Sequence, residues 1–193
     1  QLTSLPSVLP YGLQYLICSR NQLTSLPDTL PSGLWRLDCC INQLTSLPSS
    51  LPSSLLTLMC DNNQLTFLPD TLPSGLQYLM CNNNQLTSLP DTLPSSLWYL
   101  YCDNNQLTSL PSVLPSSLQL LFCNNNQLLL EKLYSETPHE FLTRLHTAEE
   151  ELQKSRILSR TSIIKEELMM EMWSPDRLQK RLDTGEELEA ILA

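Results

Sequence analysis

The segment LPSGLQYLMCNNNQLTSLPDT, residues 72–92, recurs at 9–29, 30–50, 51–71, 93–113 and 114–134 without insertion or deletion. A unit of 21 residues is too short to bury an apolar face by itself, so copies must stack to form a core. The period therefore predicts a solenoid in which equivalent residues lie over one another, about 4.8 Å apart. Within 72–92 the spacing L-x-x-L-x-C-x-x-N-x-L-x-x-L-P is set by Leu76, Leu79, Cys81, Asn84, Leu86, Leu89 and Pro90.

Each unit has two halves with different local rules. Tyr78-Leu79-Met80-Cys81 alternates outward and inward, the pattern of a short strand. Stacked copies give a parallel sheet on the concave face of the coil. The other half, typified by SLPDTLPSGL, carries two prolines that fix φ and remove donors, which predicts an extended, polyproline-like convex side with turns. Asn21, Asn42, Asn63, Asn84, Asn105 and Asn126 occur once per turn. There, an inward amide can satisfy backbone groups left unpaired where the strand bends away.

Cys18, Cys39, Cys60, Cys81, Cys102 and Cys123 share one repeat position, and Cys40 alone is out of register. An odd count in a uniform ladder fits reduced, buried thiols acting as small hydrophobes, not disulfides. A linear column also lacks the four converging ligands that zinc needs. No cofactor or metal is expected. Cys40 should face outward beside Asp38.

This pattern resembles the leucine-rich repeat family, with Cys where a third leucine usually sits. The doubled Leu-Pro is similar to the short LPX-type repeats of bacterial effectors and of some large DNA virus proteins. The resemblance covers residues 1 to about 130 and implies an asparagine ladder and a binding role. It gives an α+β repeat solenoid as the fold class. Bacterial LPX effectors often carry a ubiquitin-ligase domain with a catalytic cysteine after the repeats. Here the last cysteine is Cys123, so the tail as given has no thiolate nucleophile.

The repeat stops at Gln127, after which Leu128, Leu129, Leu130 and Leu133 replace the expected Thr-Ser-Leu-Pro. We place the domain boundary at 134/135, with a helical cap and tail over 135–193. Thr137-Pro138 followed by Glu140 reads as a helix start. Phe141, Leu142, Leu145, Ala148 and Leu152 then share a face suited to covering the last turn. A break is expected around 159–162, then a second helix through Met172 to Trp173, and a third over 175–183. Residues 163–192 are similar to C-terminal segments of nucleocytoplasmic large DNA virus proteins, a likeness that implies no activity. At the other end the chain starts in mid-repeat, so a preceding segment, or another cover for that edge, is expected.

The net charge is −9, from 20 acids against 11 bases. Without a basic stripe, neither nucleic acid nor an anionic membrane is an expected partner. No signal peptide, glycosylation acceptor or long apolar run is present, which places the chain in a reducing, intracellular setting, a host or cell cytoplasm. His139 and His146 lie two helical turns apart without further ligands or an orienting group. The chain is not expected to be an enzyme.

The informative surface is the outward strand columns. Tyr15, Trp35, Met59, Tyr78, Met80, Trp98, Tyr99, Tyr101 and Phe122 are residue types enriched in interface cores. They predict a partner-binding concave face on a non-enzymatic protein-interaction module. The alternatives are a self-assembling structural protein, as a homodimer or larger, and a pathogen effector.

Overall fold

The computed structural model describes residues 1–132 and 135–172, with side chains as far as residue 164. Six three-residue strands follow one another: β1 (Tyr15–Ile17), β2 (Arg36–Asp38), β3 (Thr57–Met59), β4 (Tyr78–Met80), β5 (Tyr99–Tyr101) and β6 (Leu120–Phe122). They form one parallel sheet in the order β1-β2-β3-β4-β5-β6. Register is strictly repeat on repeat: Leu16 pairs with Leu37, Leu58 with Leu79, and Leu100 with Leu121. Each crossover from strand to strand is one turn of the coil and contains no helix. It is built from bends and from proline turns such as Leu76 N–H to Pro73 O at 3.0 Å.

Because equivalent residues stack, the core consists of columns of one residue type. Leu37, Leu58, Leu79 and Leu100 are fully buried, as are Cys39, Cys60, Cys81 and Cys102. Removing each leucine side chain from water contributes about 1.5–3 kcal/mol, which sets the scale of what holds the turns together.

Three hydrogen-bonded ladders run along these columns. In the first, Asn84 Oδ1 accepts from Leu65 N–H of the preceding turn at 3.0 Å. Its Nδ2 donates to Cys60 O, Cys81 O and Asn82 O at 3.0–3.2 Å. Asn42, Asn63, Asn105 and Asn126 repeat this set. Asn21 binds Leu2 N–H in the same way and ties the first half-turn to the coil. In the second ladder, thiols donate to the strand carbonyls of the next turn, as Cys81 Sγ does to Tyr101 O at 3.3 Å. The third runs along the convex side, where Ser54, Ser96 and Ser117 hydroxyls donate to carbonyls of the turn before.

At Arg20, Ile41, Asn62, Asn83, Asn104 and Asn125 the backbone has φ between 53° and 59°. This left-handed conformation lets the chain leave the sheet. It suits Asn, whose short amide bonds locally, and strains a β-branched side chain. Asn at four of the six positions is therefore a backbone requirement.

The coil ends at a helix, α1 (Pro138–Met172). Its start is a capping box: Thr137 N–H donates to Glu140 Oε2 at 2.8 Å, and Glu140 N–H to Thr137 Oγ1 at 3.2 Å. Phe141 and Leu145 are fully buried in the same core as the repeats, with Leu142 beside them. Arg144 locks this turn, binding both carboxylate oxygens of Glu136 at 2.8 and 2.9 Å and Glu131 O at 2.7 Å.

Three sequence expectations need correction. The helix does not break at 159–162. Ser159 and Thr161 donate their hydroxyls to the carbonyls of Ser155 and Ile157 four residues back, both at 2.9 Å, so these polar side chains are bonded within the continuing helix. The expected second helix is therefore part of α1 up to Met172. Leu152, expected on the covering face, is exposed. The third helix, and Trp173, fall outside the described residues. The chain separates into two compact units, Gln1–His146 and Thr147–Ala193, so the first turns of α1 belong with the repeats.

The strained turn gives a direct test. Ile41→Asn, which restores the residue found at the four following positions, should stabilise the protein by about 1 kcal/mol in urea unfolding. A loss of stability would mean that Ile41 contributes packing that outweighs its backbone strain.

Candidate functional site: the outward face of the sheet

The sheet presents three columns of side chains to solvent. The first is Tyr15, Arg36, Thr57, Tyr78, Tyr99 and Leu120, and the second Ile17, Asp38, Met59, Met80, Tyr101 and Phe122, each aligned by the strand register. Beyond the strand ends lies a third: Ser19, Cys40, Asp61, Asn82, Asp103 and Asn124.

The sequence-predicted residues fall into two groups. Towards the C-terminal end, Tyr78 and Tyr99 rings lie 5.1 Å apart, and Trp98 meets Tyr78 edge-on at 6.1 Å. Tyr101 stacks on Phe122 at 4.9 Å with an interplanar angle of 7°. Met59 and Met80 are register partners that continue this column. Half-buried rings braced against one another form a fixed apolar shelf, since aromatic pairs add about 0.5–1.5 kcal/mol beyond their burial. Tyr15 and Trp35 form a separate pair at the other end, with centroids 6.4 Å apart and 54% and 47% exposed. Arg36 and Thr57 stand between the two groups. Arg36 places Nη2 3.2 Å from Met59 Sδ, and its buried Nε has no hydrogen-bond partner.

The third column carries a ladder that sequence reasoning missed. Asp61 Oδ1 accepts from Asn82 N–H at 2.8 Å, Asn82 Oδ1 from Asp103 N–H at 2.8 Å, and Asp103 Oδ1 from Asn124 N–H at 2.6 Å. The alternation of Asp and Asn was the available signal, because the two share one acceptor oxygen. Burial raises the Asp103 carboxyl above its ordinary value, against the Asn124 N–H, which lowers it. Cys40 closes this column, with its thiol 3.4 Å from Asp61 Oδ2 and its N–H on Asp38 Oδ1 at 3.2 Å.

The thiols are poor nucleophiles. Burial pushes Cys18 up to about 11 and Cys123 up to about 12, and raises Cys39, Cys60, Cys81 and Cys102 well above the ordinary thiol value. Cys40 is raised by its own burial and by Asp61 and Asp38. Among the described residues no three metal-ligating side chains converge, and no helix is long and apolar enough to cross a membrane. The arrangement holds flat apolar rings, soft thioethers and carboxylates at fixed positions.

Solved structures share this geometry. YopM from Yersinia enterocolitica superposes with a TM-score of 0.63 at 43% identity, over 69% of this chain and 29% of that one. A Shigella effector leucine-rich repeat domain matches with a TM-score of 0.57 at 38% identity, over 62% and 53%. YopM from Yersinia pestis, described as a leucine-rich effector protein, gives 0.52 at 37% identity, over 65% and 40%. The chain is a leucine-rich repeat protein. It spans between 29% and 53% of the length of these three bacterial proteins. Comparison with protein-family models and with curated proteins gave no match. The likeness of residues 163–192 to large DNA virus proteins falls mainly outside the described residues, and these three relatives lend it no support.

Two measurements test the columns. Ellman's reagent on the native leucine-rich repeat protein should modify at most Cys40 within minutes, and all seven thiols after denaturation. Rapid native labelling of Cys81 or Cys102, mapped by mass spectrometry, would contradict a buried ladder. Asp103→Asn addresses linkage. A carboxyl raised in the fold binds its proton more readily there than in the unfolded chain, so stability falls as pH rises through that window. The substitution should therefore raise Tm at pH 7 and lose its effect below the ordinary value of 3.8. A lowered Tm at pH 7 would show the charge to be stabilising.

Proposed function

We propose that this leucine-rich repeat protein is a non-enzymatic protein-interaction module that docks a partner on the concave face of its sheet. The observation that carries the reading is the braced shelf of Tyr78, Trp98, Tyr99, Tyr101 and Phe122, continued by Met59 and Met80. Solvated strand faces ordinarily turn polar, whereas these residue types dominate interface energetics. Rings already fixed by their neighbours lose little conformational entropy when a partner arrives. The likeness to repeat domains of bacterial effectors supports an interaction role of that kind. Free thiols throughout the ladder support a reducing, cytoplasmic setting.

The second reading is self-association through the helix. Ile157, Leu158, Ile163 and Ile164 are 48–70% exposed on α1, and exposed aliphatics on one helix favour a second copy as partner. Size-exclusion chromatography with light scattering, with and without residues 157–193, separates the two readings. A dimer that depends on those residues favours self-association, and a monomer favours a foreign partner.

The concave face is tested by replacing Tyr78, Met80, Tyr99, Tyr101 and Phe122 with Ser together. Capture of partner protein from animal-cell and bacterial extracts should fall by more than about tenfold, equivalent to about 1.4 kcal/mol. Circular dichroism should retain the signature of the coil, and Tyr101→Ser alone, which leaves the other rings in place, guards against a folding defect. Undiminished capture by both variants would remove the concave face from the function.

A further inference from the structure

The middle of the aromatic shelf is bordered by carboxylates, while the cations Arg36, beside Met59, and Lys132, which lines a pocket with Phe122 and Asn124, stand at its two ends. Between Arg36 and Lys132 the sequence has no Lys or Arg. Across that stretch Asp61 and Asp103 stand in the third column, beside the columns that carry Met80, Tyr101 and Phe122. Both are half-buried, unlike Asp70 and Asp91, which are exposed in the proline loops of the other half-turn.

The ladder does not require these two charges. For the backbone it uses one oxygen of each side chain, accepting from the next turn's N–H, and Asn82 fills the same role at the same 2.8 Å as Asp61, whose other oxygen accepts from the Cys40 thiol at 3.4 Å. An asparagine at 61 or 103 would hold the backbone equally well. The negative charge of Asp61 and Asp103 is thus surplus to the backbone ladder, yet it sits at every second rung of the shelf's border. Burial also disfavours the ionised form of Asp103, a cost that an approaching cation would relieve.

We propose that the shelf takes a basic, extended segment of a partner protein, with Lys or Arg stems lying over the rings and their cationic heads at Asp61 and Asp103. This rests on the concave-face reading above and adds the partner's chemistry. Ring faces attract cations through the quadrupole, and the adjacent carboxylates complete the site. The two carboxylates are two strand spacings apart, about 10 Å. An extended chain covers that distance in about three residues. An acidic or purely apolar segment would leave both carboxylates desolvated without a counter-charge.

The test uses fluorescence anisotropy with three labelled peptides, repeating Leu-Arg-Ser, Leu-Glu-Ser and Leu-Ser-Ser, on the full chain. The Arg peptide should bind at least about tenfold tighter than the other two at low salt, and the margin should narrow towards physiological salt. Asp61→Asn with Asp103→Asn, which retains the ladder, should erase that margin. Asp70→Asn with Asp91→Asn, which removes equal charge from the other side, should leave it intact.

Equal binding of the three peptides, lost on Tyr101→Ser, would overturn the charge preference and leave the concave-face reading standing. An Arg preference that survives Tyr101→Ser and Tyr78→Ser would overturn both. Preference retained after Asp61→Asn and Asp103→Asn, or no binding by any peptide, would overturn the proposal.

Discussion

Everything in this fold depends on how one turn of 21 residues satisfies its backbone against the next. A strand of three residues is too short to hold register through sheet bonds alone. The buried asparagine supplies the rest. One side chain answers an N–H of the preceding turn and three carbonyls around the bend. An unpaired buried amide would cost about 1–3 kcal/mol per group, so each turn is correct only when its neighbour is in phase.

That phase requirement makes the core a set of columns and not a jigsaw. A leucine at one height demands a leucine at the next, because the space is repeated along with the residue. The cysteine column follows the same logic. It occupies a narrow position near the bend, where a small side chain fits and its S–H reaches the carbonyl that also receives the cysteine N–H. Burial then makes those thiols inert, so sulfur serves packing in this protein.

The outward columns escape the phase requirement and are where the turns differ. Arg36 and Thr57 interrupt the first column, and the rings towards the C-terminal end brace one another in two sets, Tyr78 with Trp98 and Tyr99, and Tyr101 with Phe122. The face thus has a mixed N-terminal part and a ring-lined C-terminal part. Variation between turns is concentrated where repetition is relaxed, since only there can a side chain change without disturbing the turn above it.

The sequence by itself determined the repeat length, the strand position, the inward Leu and Cys columns, the asparagine ladder and the capping box at Thr137 and Glu140. All are local patterns or consequences of exact stacking, and period and spacing express both. Three things were decided only in the tertiary structure. The helix runs through 159–162, and Ser159 and Thr161 return their hydroxyls to the preceding turn, a rotamer choice that composition does not encode. The bonding of Asp61, Asn82 and Asp103 to the next turn became visible only when residues 21 apart in the chain came within 3 Å of one another. Which aromatics touch, and which stand alone, depends on ring orientation across strands. Sequence spacing specifies the column, and packing specifies the contact.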